Sequence, residues 1–230
     1  MNTPRPHVVA VLRRCGARLF PGDPAHHDVL PPLLVVLTFV TGLVDAVSYL
    51  GLHHVFVANM TGNVVFLGFA LAGGTGLSAV ASAAAGASFL AGALAGGRIA
   101  PLIGRPVRLF ALLVAAHAVL VAAALVTGLA DHTTYVLIVL LAFGMGVQNA
   151  VVRKIAVPDL TTTVLTLTLT GLAADRPGPA TVRRVLSVVA MFGGALAGGV
   201  LQLHHGTPAA LAPALLLLSA VALAAWSATV

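Results

Sequence analysis

The chain has 230 residues, of which 59% are hydrophobic and only 8% are charged. Soluble domains carry about 25% charged residues, so this composition excludes an ordinary soluble domain and indicates an integral membrane protein. The net charge is +6, but the twelve Lys and Arg residues lie in short clusters between apolar stretches. That distribution favours a role in membrane topology, and we expect no nucleic-acid partner.

Residues 1–30 form a basic tail that contains no apolar run long enough for a cleavable signal peptide. We therefore expect the first membrane helix to act as an uncleaved signal and the tail to lie in the cytoplasm. Cys15, the single cysteine, lies in this tail, which excludes an intrachain disulfide and a cysteine metal site. Residues 31–230 are predicted to form a single transmembrane domain.

Apolar segments of roughly the 20 residues that a membrane span needs recur along the rest of the chain. The second and sixth segments begin with polar clusters, ANMTGN (58–63) and PDLTTT (158–163), and about a dozen apolar residues follow each cluster. The eight segments lie at 31–52, 55–73, 78–97, 107–128, 134–152, 160–173, 184–203 and 208–228.

The two halves of the chain resemble each other in three places. FLAGALAGG (89–97) is similar to MFGGALAGG (191–199), GLVDA (42–46) to GVQNA (146–150), and NMTGNV (59–64) to DLTTTV (159–164). Chance similarity among apolar stretches is the alternative for any one match, but the three matches occur in the same order. They predict one repeat over 31–128 and a second over 134–228, as in many transporters.

The positions of the basic clusters separate two topologies. If all eight segments span, the repeats are parallel, and seven Lys and Arg residues lie inside while five lie outside. If segments two and six enter the membrane and return to the same side, every Lys and Arg lies inside. We prefer this second model, which has six transmembrane helices, two re-entrant half-helices, inverted repeats, and both termini in the cytoplasm.

The polar clusters would lie where the backbone turns inside the membrane. N–H groups at a new helix start lack partners there, and lipid offers none. Asn59, Thr61, Asp159 and Thr161 are therefore predicted N-caps, and Gly62 would permit a tight turn. The clusters would either cap a broken helix and do nothing more, or the two half-helix N-termini would meet near the midplane and bind a solute.

Asp45 is the one acidic residue well inside an apolar segment. It would lie about 10 Å below the end of the first span, at 1.5 Å per residue, close to the depth of Asn59. A carboxyl group at that depth must be protonated, paired or in contact with water, and no Lys or Arg lies within a span to pair with it. We consider a proton-coupling or cation-coordinating role and, as the alternative, a protonated structural hydrogen bond. Its counterparts in the second repeat are the neutral Gln148 and Asn149.

His117 lies in the middle of the fourth segment. It would either form an interhelical hydrogen bond or act as a proton relay. The pairs His53-His54 and His204-His205 make poor metal sites without further ligands, so we expect neither a metal nor a cofactor. The small-residue motifs, Gly92-x-x-x-Gly96 and Gly194-x-x-x-Gly198, would pack the halves together or form a homodimer.

Four stretches of the sequence, GLVDAVSYLG (42–51), FVANMTGNVVFLG (56–68), GMGVQNAVVRK (144–154) and LTTTVLTLTLTG (160–171), resemble the YoaK family of small bacterial membrane proteins. The resemblance runs from about residue 33 to 203. It implies a place in the bacterial inner membrane and no established substrate, so the mechanism must come from the residues themselves.

These observations predict a transporter or channel for a small solute or ion, with a central polar site that couples to protons through Asp45. A non-transporting membrane scaffold or partner subunit is the alternative. The membrane region offers no nucleophile beside a base and no paired carboxylates, so we do not expect an enzyme. The predicted site residues are Asp45, Asn59, Thr61, Asn63, Gln148, Asn149, Thr161 and Thr163.

Overall fold

The structure, a computed structural model, describes residues 7–21, 28–129, 134–163 and 165–229. Within these residues every regular element is helical, which agrees with the predicted all-α class. The eight α-helices are α1 (His7–Leu19), α2 (Leu30–Gly51), α3 (Met60–Leu71), α4 (Ala79–Ile99), α5 (Pro106–Gly128), α6 (Thr134–Ile155), α7 (Leu165–Ala174) and α8 (Pro179–Ser227).

Five of these helices, α2, α4, α5, α6 and α8, are long and apolar enough to cross a membrane. Their apolar side chains point both inward and outward, and many large ones are exposed on the outer surface, including Leu90, Val119, Phe192 and Leu216. Exposed apolar surface of that extent needs lipid around it. The prediction of a multi-pass helical membrane protein is thereby confirmed.

The last helix, α8, contains two segments of spanning length. At 1.5 Å per residue its 49 residues would extend about 74 Å, more than twice the roughly 30 Å of a bilayer core. Gly206 interrupts the helix with φ 80° and ψ 177°, a conformation open essentially to glycine alone. Pro208 follows and cannot donate the helical hydrogen bond to residue 204. The break matches the predicted boundary between the seventh and eighth segments.

Helices α3 and α7 are too short to span. They have 12 and 10 residues, so they extend about 18 and 15 Å. Both lie in the segments that the sequence marks as exceptional. Helix α3 begins at Met60, directly after the predicted N-cap Asn59, whereas α7 begins at Leu165, later than the predicted N-caps Asp159 and Thr161. The residues ahead of them, 55–59 and 156–163, form no regular helix, and they carry much of the polar sequence.

Helices α2 and α8 pack closely through glycines. A Cβ atom at Gly42 would collide with the backbone of Met191, and one at Gly194 would collide with the backbone of Phe39. Close backbone approach of this kind is typical of small-residue helix interfaces in membranes. The two helices run in the same direction, since the contacts advance together: Phe39 with Gly194, Leu43 with Gly198, and Gly51 with Gln202.

Helices α4 and α6 repeat this contact with the halves exchanged. A Cβ atom at Gly146 would collide with the backbone of Phe89, and one at Gly92 would collide with the backbone of Phe143. In the sequence repeats, Gly146 corresponds to Gly42 and Gly92 corresponds to Gly194. The small-residue motifs therefore pack the two halves of one chain together.

The residues around α3 bring three helix ends together. Leu50, Gly51, His53 and His54, at the end of α2, line a cavity of about 470 Å³ together with residues 76–78, which precede α4. The His53 ring also lies 5.4 Å from the ring of Tyr135, in the first turn of α6. The end of α2 and the beginnings of α4 and α6 are therefore neighbours.

The basic tail contains a helix that the sequence analysis did not predict. Helix α1 buries Val9 and Gly16 and leaves most of its other side chains exposed or partly exposed. It contacts α2 and α8, and two polar contacts hold it there: Arg13 pairs with Asp28 at 2.6 Å, and Arg183 donates to the Leu19 carbonyl at 2.9 Å. The short amphipathic pattern was hidden by the high proportion of Arg in this segment.

Candidate functional site

Asp45 satisfies the backbone where the chain turns after α2. Its Oδ1 atom accepts hydrogen bonds from the N–H groups of Val57 and Ala58, at 3.0 and 2.8 Å. These N–H groups lie just ahead of α3, outside any helical hydrogen-bond pattern, and lipid could not satisfy them. Asp45 is therefore the capping acceptor of this break, although it lies on another helix.

The same break is held by Asn63 and Gly62. Asn63 is buried, accepts from the Phe56 N–H at 2.9 Å, and donates back to the Phe56 carbonyl. A Cβ atom at Gly62 would meet the Phe56 ring, so Gly62 allows a close approach and does not form the turn. Asn59 occupies the N-cap position of α3, but its side chain makes no capping hydrogen bond.

The break between α6 and α7 is built differently. Thr163 donates to the Asn149 Oδ1 atom at 2.6 Å. Gln148 is buried and donates to the Thr41 hydroxyl at 3.0 Å and to the Thr162 hydroxyl at 3.3 Å. Neutral amides and hydroxyls therefore hold this break, at the sequence positions that match Asp45 and its neighbour.

The carboxylate of the second break, Asp159, is paired with arginines. It accepts from Arg183 at 2.7 Å and from Arg184 at 2.8 Å, and Arg184 also pairs with Asp175 at 2.6 Å. Helix α7 begins at Leu165, so the prediction that Asp159 and Thr161 are N-caps is wrong. The pairing partners lie 24 and 25 residues further along the chain, and local sequence spacing does not reveal them.

Both breaks contain non-glycine residues in the left-handed backbone region. These are His53 and His54 after α2, with φ values of 57° and 56°, and Ala156 and Asp159 after α6, with φ values of 54° and 61°. Such residues persist where the surrounding contacts hold them, and they are concentrated at functional sites. The strain therefore lies in the two segments that carry the polar clusters.

A central cavity of about 420 Å³ lies between the two halves. The first half contributes side chains from α2 and from the break before α3. The second half contributes the start of α7 and one face of α8. The polar and aromatic residues of its lining are Thr41, Asp45, Tyr49, Phe56, Asn59, Thr163 and Thr166.

A second cavity of about 770 Å³ lies beside the second break. Its lining repeats that of the central cavity in part: Asn149 takes the sequence position of Asp45, and Arg153 takes that of Tyr49. Phe89 of α4 likewise corresponds to Met191 of α8. Thr163 lines both cavities and therefore lies between them.

The predicted site residues fall into three groups. Asp45, Asn59 and Thr163 line the central cavity, and Asn149, Thr161 and Thr163 line the second one. Asn63 and Gln148 are buried in hydrogen bonds instead. Thr61 is exposed in the first turn of α3 and lines neither cavity.

Four further lining residues, Thr41, Tyr49, Phe56 and Thr166, were missed by the sequence analysis. A signal for two of them was present. Thr41, Asp45 and Tyr49 are spaced four residues apart, which places them along one face of a helix. Phe56 and Thr166 are positioned by the breaks and carry no such periodic signal.

His117 is fully buried in α5, and neither of its ring nitrogens has a hydrogen-bond partner among the described residues. It lines a cavity of about 10 Å³ together with Gln148, whose Oε1 atom also lacks a partner there. Such a volume has the size of about one water molecule. His117 lies apart from both larger cavities and connects to the central one only through Gln148 and Thr41.

Within the described residues, no group of three or more His, Cys, Asp or Glu side chains is placed to hold a metal ion. Cys15 is exposed in the tail helix, away from both cavities. Among the described lining residues, the central cavity therefore offers the Asp45 carboxyl group, hydroxyls, an amide and aromatic rings. The second cavity offers the Asp159 carboxylate, the Arg153 guanidinium, hydroxyls and an amide.

Comparison with known proteins gives a family and no activity. A family model described as "Protein of unknown function (DUF1275)" matches residues 33–224. The UPF0700 transmembrane protein YoaK of Bacillus subtilis (strain 168) is 33% identical over 150 residues, which cover 64% of this chain and 67% of that protein. No solved structure matches. The resemblance to the YoaK family that the four sequence stretches indicate is confirmed.

Proposed function

The chain belongs to the DUF1275 family of proteins of unknown function, and we propose from its central cavity that it is a transporter or channel for a small solute. One observation carries the proposal: residues next to both breaks, Asp45 and Asn59 from the first half and Thr163 from the second, line one cavity. Its volume of about 420 Å³ is that of an ordinary ligand pocket. Broken helices that meet at a polar site are the usual binding sites of secondary transporters.

The segment between α2 and α4 is proposed to be re-entrant. Val57 and Ala58 contact Asp45, which lies six residues inside α2, so the chain has descended about 9 Å from the end of that helix. Helix α3 is short, and residues 76–78 after it share a cavity with His53 and His54. These contacts support a segment that enters and leaves at the same end.

The two halves are proposed to be inverted repeats. Each half would then have three spans and one half-helix, and the exchanged glycine contacts between α2 and α8 and between α4 and α6 support this symmetry. In this arrangement the Lys and Arg residues lie at one end of the molecule, which we take to be cytoplasmic, in the bacterial inner membrane. The central cavity would open to the outside, the second cavity would open to the cytoplasm, and Thr163 would separate them.

Asp45 is proposed to be the coupling residue. Its carboxylate reaches the central cavity while Oδ1 holds the N–H groups of Val57 and Ala58. A proton or a cation at this carboxylate would change the acceptor strength of Oδ1 and therefore the stability of the break. Occupancy of the cavity and the geometry of α3 would in this way be linked.

Flux into proteoliposomes tests the proposal. The wild-type chain, Asp45→Asn and the control Asp175→Asn would be reconstituted at equal density and screened with charged and neutral small solutes. Asp45→Asn keeps an oxygen acceptor for the break and removes the charge, whereas Asp175 lies outside both cavities. We expect at least about a tenfold loss of flux for Asp45→Asn alone. If both its rate and its pH dependence match the wild type, the coupling role fails.

Sided cysteine labelling in intact cells tests the topology. Cys15 is replaced by Ser, and single cysteines are placed at Thr75 and Ile103, which lie on either side of α4. We expect a membrane-impermeant maleimide to label position 75 from outside and to reach position 103 only after permeabilisation. The reverse pattern would contradict the re-entrant segment and favour eight spans in parallel repeats.

A membrane scaffold or partner subunit is the second candidate, and one observation favours it. Several predicted site residues, Asn63, Gln148 and Asn149, are engaged in hydrogen bonds within the chain. Simultaneous substitution of Asn59 and Thr61 by Ala separates the candidates, because neither side chain caps α3 and both are exposed. A transporter should stay folded and lose flux, whereas a scaffold should lose function only in proportion to its stability.

A homodimer is proposed to use a small-residue face that the contacts within one chain leave open. Gly92 and Gly194 are buried within one chain, so a dimer would use another small-residue face, such as Gly86 and Gly97 of α4, where a Cβ atom would meet open space. We propose no enzymatic activity, since neither cavity has a Cys or His among its described lining residues. The lipid bilayer and an unidentified small solute are the proposed partners.

A further inference from the structure

The central cavity combines a carboxylate with an aromatic wall. Asp45 lies on the face of α2 that also carries Tyr49, one helical turn further along, and Phe56 reaches the same cavity from the break. The remaining polar groups of the lining are hydroxyls and one amide, from residues such as Thr41, Asn59 and Thr166. No Lys, Arg or His is among the described lining residues.

Asp45 has no basic partner among the described residues. Within the described part of the chain, no ion pair involves Asp45, and the hydrogen bonds to its side chain come from the backbone N–H groups of Val57, Ala58 and Asn59. These neutral donors leave any charge on the carboxyl group without a cationic partner. Asp159 differs, because Arg183 and Arg184 occupy both of its oxygens.

The aromatic wall is ordered by ring contacts. The Tyr49 and Phe56 rings stack with centroids 4.9 Å apart and an interplanar angle of 19°. Phe66 of α3 lies 6.0 Å from Tyr49 and 5.9 Å from Phe56, and the His54 ring meets Tyr49 edge-on at 5.3 Å, so four rings form one cluster. Aromatic rings attract cations that lie within about 6 Å of their centroids, and desolvated sites gain most from this attraction.

We propose that the central cavity binds a monovalent organic cation, an ammonium group with small alkyl substituents, at Asp45, Tyr49 and Phe56. The carboxylate would neutralise the charge, the rings would contact the alkyl groups, and the threonine hydroxyls would accept N–H bonds where the nitrogen carries them. This inference rests on the proposed function, since it names the class of solute that the same cavity takes.

Other classes of ligand fit the lining less well. An anion would face the unneutralised carboxylate of Asp45 without a cationic partner. A divalent metal ion needs about six oxygen ligands at short range, whereas a single carboxylate lines this cavity of about 420 Å³. In the second cavity, Asn149 and Arg153 stand at the positions of Asp45 and Tyr49, so cation recognition belongs to the first half.

Calorimetric titration of the full chain in lipid nanodiscs tests this proposal. The probes are choline and its uncharged carbon isostere, in which a quaternary carbon replaces the nitrogen, and empty nanodiscs correct for partitioning into lipid. The variants are Asp45→Asn, Tyr49→Leu and Tyr49→Phe, with Asp175→Asn as the control that removes a carboxylate elsewhere. Thermal unfolding of each variant establishes that it is folded.

We expect choline to bind at least about tenfold more tightly than the isostere, Asp45→Asn to remove that preference, and Asp175→Asn to keep it. Tyr49→Leu should weaken choline binding several-fold, and Tyr49→Phe should restore it. Equal binding of both probes, no choline binding by the folded chain, or a preference that survives Asp45→Asn would each overturn the inference.

The same titration separates this inference from the transport proposal. Choline binding without flux of any solute in proteoliposomes would leave the cation site standing and refute transport. Flux of neutral or anionic solutes by a chain that does not bind choline would support transport and refute the cation site.

Discussion

The two breaks follow corresponding helices, α2 and α6, but they differ in how their carboxyl groups are paired. After α2, a residue of that helix, Asp45, accepts hydrogen bonds from the N–H groups of Val57 and Ala58 and lines the central cavity. After α6, the neutral Asn149 takes that position, and the carboxylate of Asp159 is paired with Arg183 and Arg184. The first break therefore places a carboxyl group without a basic partner on a cavity, whereas the carboxylate of the second break is held in ion pairs within the protein.

Two halves that pack through matching glycine contacts can therefore differ in the chemistry of their breaks. The glycine contacts that pack the halves are nearly the same in both, because close backbone packing tolerates little change. The polar residues near those glycines differ between the halves: Asp45 in the first half corresponds to the neutral Asn149 in the second. The scaffold of the two halves is thus equivalent, and the chemistry is not.

The largest effect is expected from breaking the shared scaffold. Gly42→Val and Gly146→Val each place methyl groups against a neighbouring backbone, which cannot move away as a side chain can. Overpacking of this kind costs about 1–3 kcal/mol or more, so each variant should lose most of its folded yield. Fluorescence-detected size-exclusion chromatography and thermal unfolding in detergent measure the loss.

Gly97→Val is the matched control for these two variants, because a Cβ atom at Gly97 of α4 would meet open space. It should keep near wild-type yield apart from the small helix propensity cost of Val. If Gly146→Val proved as mild as this control while Gly42→Val did not, the two interfaces would not be equivalent, and the symmetry between the halves would be wrong.

The next largest effect on stability is expected from Asp159→Asn, and it should exceed the effect of Asp45→Asn. Asp159→Asn removes the counter-charge of Arg183, which is largely buried, and leaves Arg184 with Asp175 alone, so we expect a loss of about 2 kcal/mol in unfolding free energy. Asp45→Asn retains an acceptor oxygen for Val57 and Ala58 and should lose less than about 1 kcal/mol. Thermal unfolding of both variants in one detergent compares them.

Asp175→Asn serves as the reference for a surface ion pair, since the Asp175 side chain is 55% exposed and such pairs contribute about 0–1 kcal/mol. A destabilisation by Asp45→Asn as large as that by Asp159→Asn would mean that the charge of Asp45 is structural. The contrast between the two breaks would then be lost.

The features of the fold that depend on hydrophobic periodicity and composition could be predicted from the sequence. Segment lengths gave the helical membrane class, the polar clusters located both breaks, and the matching glycine motifs anticipated the packing of the halves. The start of α7 could not be predicted, because Asp159 resembles an N-cap locally while the arginines that pair with it lie 24 and 25 residues further along the chain. Helical periodicity could have predicted the part of the cavity lining on α2, where Thr41, Asp45 and Tyr49 share a face. It could not predict Phe56, because the non-helical backbone of the break sets the position of that residue.

The smallest expected effect concerns Thr163, the residue that lines both cavities. Thr163→Val keeps the shape of the side chain and removes the hydroxyl that donates to Asn149, which should cost about 1 kcal/mol of stability. Because Thr163 lies between the cavities, flux should also fall several-fold. Thr166→Val is the matched control, since Thr166 lines the central cavity alone. Equal flux losses for both variants would place the barrier elsewhere, whereas a selective loss for Thr163→Val would mean that solute passes from the charged cavity of the first break to the neutral amide of the second.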